Sequence, residues 1–210
     1  MTTSIPFSDI LSHFNRKERF WVLNGLLDFK STPISKSFRS RLTTQFGIEV
    51  PENAWWAMDY HFDWLHAALV CAEKHCAVTD LPYQINDAQA IKGNQEDIDL
   101  IIAFEKTVLL IEAKGVGGWN REQMWSKSNR IKNLPLPCGL NFQLILTSPY
   151  PPNNDFMKSK WVQNIPDGML KNPYWVPLTF GDGSPFFAVT RCDEGGKSDK
   201  GGGHWRTIKI

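Results

Sequence analysis

Two short apolar runs, Asp97 to Ala103 and Thr107 to Ala113, flank the tripeptide Phe104-Glu105-Lys106. Both are rich in β-branched residues, and the spacing predicts two antiparallel strands joined by a tight turn. Centring the turn between Glu105 and Lys106 pairs residues whose numbers sum to 211. Asp99 then lies opposite Glu112, and Asp97 opposite Lys114. Along the first strand Ile98, Leu100 and Ile102 alternate with Ile101 and Ala103, so both faces are apolar. Strands of that kind are covered on both sides.

The rest of the chain supplies the cover. Ser8 is a candidate cap for a helix running through Ile10, Leu11 and Phe14 towards Leu27, interrupted by Pro33. A shorter helix around Phe38, Leu42 and Phe46 stops at Gly47, and a third repeats Met58, Phe62, Leu65 and Leu69 at helical spacing. Gly115, Gly117 and Gly118 end the second strand of the hairpin. Asn120 caps a polar helix to about Asn133, which Pro135 and Pro137 close. Asn141 to Thr147, Phe186 to Thr190 and Trp205 to Ile210 read as further strands. Residues 148–185, rich in Pro, Asn and Gly, read as an irregular insertion, and 195–203 as a mobile loop. The expected fold class is α/β (α+β), a mixed central sheet flanked by helices. At 210 residues one domain, or one domain with an appended lobe, is expected, with a helical part (1–78), a motif-bearing core (95–147), the insertion and terminal strands (186–210).

No apolar run approaches the roughly 18 residues of a membrane span, and Met1 to Pro6 lacks the pattern of a signal peptide. Cys71, Cys76, Cys138 and Cys192 form no CxxC pair, so reduced thiols in a cytoplasmic protein are expected. A net charge of +1 excludes a histone-like coating protein and leaves room for a local basic face.

The predicted register gathers Asp97, Asp99, Glu112 and Lys114 at one end of a buried hairpin. Carboxylates directly opposed, with Cβ atoms roughly 5 Å apart, need a shared proton or a cation. Magnesium commonly takes one or two carboxylates together with water and phosphate oxygens. Lys114 beside such a site would hold a nucleophilic water or stabilise charge developing on phosphorus.

Asp99 followed by Glu112-Ala113-Lys114, with apolar strands around both, resembles the PD-(D/E)XK motif of restriction endonuclease-like nucleases. The resemblance covers about Asp97 to Asn133. It departs from the motif in having Ile98 where many members have proline. The acid-x-Lys triplet also occurs at Asp28-Phe29-Lys30, so the strand context gives the second triplet its weight. The resemblance implies a restriction endonuclease-like core and a nuclease acting on nucleic acid, expected to be DNA. In it Asp99, Glu112 and the Ala113 backbone carbonyl ligate magnesium, with manganese a substitute, and Lys114 assists the attacking water. Members often add an acid from a helix before the hairpin, which makes Asp63 or Asp59 a further candidate ligand.

Three other features bear on binding. Gln123, Lys127 and Arg130 share one face of the helix after the motif and are candidate phosphate contacts. Asp59, Asp63 and His66 form a helical stripe, which a surface role also explains. Residues 16–41 hold Arg16, Lys17, Arg19, Lys30, Lys36, Arg39 and Arg41 against Glu18 and Asp28, a local excess that could follow a nucleic-acid backbone. The alternatives are an inactive nuclease-fold module binding nucleic acid or a protein partner, and a structural domain whose acids form a salt-bridge network. A homodimer is compatible with each.

Overall fold

The computed structural model describes residues 5–27, 33–86, 90–93, 96–115, 118–137, 139–171, 174–178 and 187–209. Asp28-Phe29-Lys30, Gly117, Cys138, Phe186 and Ile210 lie outside them. The chain forms two compact units, Met1–Pro177 and Leu178–Ile210. The division follows from strand pairing, because the two terminal strands pair with each other.

In the first unit β1 (Trp55–His61), β2 (Asp97–Phe104), β3 (Thr107–Ala113), β4 (Asn141–Ser148) and β5 (Trp175–Pro177) form one sheet in that order. The first three strands are antiparallel, and β3, β4 and β5 are parallel. The fold class is therefore the mixed α/β architecture expected. The β2–β3 ladder runs from Phe104↔Thr107 to Leu100↔Ile111, the register that sums to 211. Glu105 adopts φ 47° in the turn. Among the described residues no helix is long and apolar enough to cross a membrane.

Helices cover both faces. On one side α1 (Phe7–Ser12), α4 (Phe62–Lys74) and α5 (Arg121–Lys132) bury Leu11, Leu65, Leu69 and Ile131 against Val108 and Leu110. On the other, α3 (Lys36–Phe46) sets Phe38 and Leu42 against Leu109, Ile111 and Ile145. Successive β3 residues thus enter opposite cores, as strand alternation requires. Each fully buried Leu or Ile contributes roughly 1.5–3 kcal/mol.

The N-terminal helix expected through Leu27 is two, α1 and α2 (Glu18–Leu27), and α1 starts after Pro6 with no side-chain cap. Arg16 lies at the break. Its guanidinium donates to the carbonyls of Phe14 and Asn15 and lies over the Phe20, Trp55 and Tyr60 rings. Met58 and Asp59 belong to β1 and not to a helix, because Trp55–His61 pairs along β2 and α4 begins only at Phe62.

The segment after β4 has more order than its composition suggests. It contains α6 (Asn154–Met157), a 3₁₀ turn over Lys160–Asn164 and the edge strand β5. Trp161 is buried and donates to Phe156 O at 3.0 Å, and Asn164 ties the segment to Ser128 and Asn129 of α5.

The second unit is an antiparallel ribbon of β6 (Phe187–Cys192) and β7 (His204–Lys209), paired from Phe187↔Lys209 to Cys192↔His204. The connection expected to be mobile is hydrogen-bonded. Asp193 N donates to Lys197 O at 2.9 Å, and the Arg191 guanidinium donates to Gly202 O at 3.0–3.1 Å. A Cβ at Gly202 would stand 2.1 Å from Cys192 O, so only glycine fits there. Cys71, Cys76 and Cys192 are free thiols, and burial followed by the charge of Cys76 pushes the Cys71 thiol up to about 11.

Candidate active site

Glu112 follows Val108 and Leu110 on the same face of β3, so alternation turns its side chain under α5. It is 3% exposed. The Lys127 ammonium of α5 donates to Glu112 Oε2 and stands 4.0 Å from Asp99 Oδ1. Asp99 reaches the same place from β2, accepting the Ala113 N–H on Oδ2 at 2.7 Å. Two carboxylates and one ammonium therefore meet at one end of the hairpin, with net charge −1 when both acids are ionised. Glu112 Oε1 is buried with no hydrogen-bond partner. Burial pushes the Glu112 carboxyl up to about 8; Lys127 opposes the shift, and the charge of Asp99 and a side-chain hydrogen bond with it add to it.

Lys114 lies two residues beyond Glu112 and reaches the same helix, donating to Gln123 Oε1 at 2.8 Å. Its own N–H donates to Thr147 O at 2.8 Å, which extends the β3–β4 ladder and fixes where the side chain departs. The helix is positioned by Asn120, whose side chain accepts the Glu122 and Gln123 N–H groups. The first turn of α5 and the end of β3 thus hold Lys114, while the next turn holds Glu112.

The Gln123–Lys127–Arg130 face has a different role from the phosphate contact expected of it. Gln123 is exposed, but Lys127 is 4% and Arg130 5% exposed. Arg130 pairs with Asp63 and lies over the Phe62 ring. Carboxylates from β3 and α4 draw these two cations inward, so neither presents its charge to a nucleic-acid backbone. Helical periodicity identifies the shared face but cannot say whether it points to solvent or to the sheet.

Asp63 also departs from expectation. It accepts Arg130 together with the Lys92 and Gly93 N–H groups at 3.2 and 2.8 Å. Burial alone would raise its carboxyl, but these donors outweigh burial and hold it below the usual carboxylate range. With both oxygens engaged by protein donors, Asp63 is a structural anchor between α4, α5 and the 92–93 backbone. Asp59 bonds Arg19 at 3.2 Å from β1, where it adopts φ 49°, so no Asp59–Asp63–His66 helical stripe exists. Asp97 pairs with Lys17 and lies 3.4 Å from His61 Nε2, instead of meeting Lys114. His61 stands opposite Asp97 across the β1–β2 ladder, which supplies the nearer partner.

The basic segment at 16–41 is also partly neutralised. Arg16 is buried, Lys17 and Arg19 are paired as above, and Arg39 lies 3.7 Å from Glu52. Lys30 lies outside the described residues.

Among the described residues no group of three or more His, Cys, Asp or Glu side chains is arranged to hold a metal ion. Asp99 and Glu112 could supply two oxygen ligands, the number magnesium often takes from a protein while water and phosphate fill its remaining positions. Glu112 Oε1 has no hydrogen-bond donor, while Oε2 is held by the Lys127 ammonium. Comparison with protein-family models, curated proteins and solved structures gave no match.

Proposed function

We propose that this chain is a magnesium-dependent nuclease that hydrolyses phosphodiester bonds of DNA. The observation that carries the reading is the convergence of Asp99 and Glu112 from adjacent strands, with one Glu112 oxygen buried and unpartnered. Asp99 and Glu112 would hold the ion, with the Ala113 carbonyl next along β3. Bound there, magnesium would supply charge for the phosphate and would acidify a water. Lys114, steadied by Gln123, directs an ammonium at the attacking water or the phosphate oxygens. Lys127 keeps the two acids close by offsetting their repulsion.

Plasmid cleavage in magnesium tests this directly. Wild-type protein is expected to cut, manganese to substitute, and Asp99→Asn and Glu112→Gln to lose activity. Cleavage by both variants at the wild-type rate would overturn the assignment.

One observation favours a second reading, an inactive nuclease-fold module that binds nucleic acid or a protein partner. The Lys127–Glu112 ion pair can satisfy the buried acid without a metal. Wild-type protein that binds DNA and cuts it with neither magnesium nor manganese would select this alternative.

A further inference from the structure

A two-stranded ribbon is marginal as an isolated structure, and this one leaves large apolar side chains in solvent. Phe187, Val189 and Trp205 are 62%, 67% and 69% exposed. Cross-strand pairing puts all three on one face, because Phe187 opposes Lys209, Val189 opposes Thr207 and Arg191 opposes Trp205. Each exposed ring therefore stands directly across the ladder from a cation, at a Cβ separation of roughly 5 Å. That face carries Lys209 and Arg191, the latter also donating to Gly202 O, and no acidic residue; Arg206 lies on the other face, opposite Thr190.

We infer that this face of the β6–β7 ribbon is a binding platform for single-stranded nucleic acid. The inference deepens the nuclease reading and rests on it for the class of ligand. A protein partner would be suited by the apolar side chains alone. The pairing of each ring with a cation, with no acid on either strand, suits a polyanion that also offers flat π-faces. Bases stack on exposed rings while adjacent cations meet the phosphates, and every base offers a face, so such binding tolerates any sequence. Phe187 and Trp205 lie four ladder steps apart, roughly 13 Å along the strands. That span suits an extended strand with unpaired bases. A duplex keeps its bases stacked on one another, out of reach of both rings.

Fluorescence anisotropy of a labelled oligothymidine, with the full chain and chelator present so that no cleavage occurs, tests the platform. Wild-type protein is expected to bind with salt-sensitive affinity, and a duplex of the same length to compete poorly. Phe187→Ala/Trp205→Ala should weaken binding roughly tenfold or more for each ring. Lys209→Ala, an exposed change that leaves the rings intact, should weaken it less and flatten the salt slope by about 0.7. The inference is overturned if wild type binds no oligonucleotide or if the double variant binds unchanged. It is also overturned if sedimentation shows a wild-type dimer that the double variant disrupts without loss of oligonucleotide affinity, since a second copy would then cover the face. Plasmid cleavage by a wild type whose binding ignores the ribbon substitutions would defeat the platform alone. Ribbon-dependent binding by a wild type that never cleaves would defeat the nuclease reading alone.

Discussion

Lys127 on α5 donates its ammonium to Glu112 on β3, and both side chains are 4–5% exposed. The same ammonium lies 4.0 Å from Asp99, so one buried cation serves two acids. Removing one partner from a buried pair leaves an uncompensated charge, which is more costly than the pair's net contribution to stability. At pH 9, where Glu112 is ionised, Lys127→Met should therefore destabilise the fold by roughly 3–5 kcal/mol, and by less near pH 7, where the acid can keep its proton. Urea unfolding measures the loss, and millimolar calcium should restore part of it by binding the unpaired acids. A loss below about 1 kcal/mol at pH 9, in the range of a solvated pair, would contradict the buried arrangement.

Metal binding should depend on pH through Glu112. Its carboxyl is raised to about 8 by burial, with Lys127 opposing and Asp99 adding, so near pH 7 the metal-free acid retains a proton. A cation must displace that proton, because the ligand is the carboxylate. Calcium affinity should rise as pH increases from 6 towards 8 and level off above, with proton release visible in buffers of different ionisation enthalpy. The same raised value makes the folded state bind more protons than the unfolded one above the ordinary Glu range. Stability from this group should thus fall as pH rises towards 8. Glu112→Gln should flatten both profiles, and an unchanged profile would remove Glu112 from the site.

Asp63 should behave in the opposite sense. Its folded-state value is depressed below the ordinary carboxylate range, as Arg130 and two backbone N–H groups outweigh burial. Its stabilisation is present above the unfolded value of about 3.9 and disappears as pH falls through the lower folded value. Asp63→Asn should therefore lose stability at neutral pH and show a shallower acid-induced decline, read by thermal melting across pH. The change should leave calcium affinity near wild type, because Asp63 has no oxygen free of protein donors.

The hairpin register was legible because three signals coincide: β-branched runs, a short polar turn and apolar residues on both faces. Those signals are local, and they put Asp99 and Glu112 together without knowledge of the rest of the chain. Met58 misled because its spacing to Phe62, Leu65 and Leu69 continues a true helical pattern backwards into a strand. Pairing of Trp55–His61 with β2, a long-range contact, decided the matter. Lys127 and Arg130 were visible as a shared helix face, but their inward direction depends on where Glu112 and Asp63 lie. The ribbon's separation was hidden for a similar reason, since a strand pattern does not name its partner.

Gly202→Ala should disturb the second unit alone. The added Cβ would meet Cys192 O at 2.1 Å, forcing β6 and β7 apart where Arg191 also bonds Gly202. Hydrogen exchange should quicken over 187–209 and remain unchanged over 97–113. Faster exchange throughout would show that the two units unfold together.

Isothermal titration of the full chain with calcium or manganese, alone and with DNA present, tests the metal-site assignment most directly. The expected result is binding by wild type that Asp99→Ala and Glu112→Ala abolish. Lys114→Ala should keep metal affinity while slowing magnesium-dependent cleavage, because Lys114 acts on the water and phosphate and is not a ligand. Wild-type protein that binds no divalent ion at millimolar concentration, even with DNA present, would contradict the catalytic assignment and leave Asp99, Glu112 and Lys127 as a structural charge cluster.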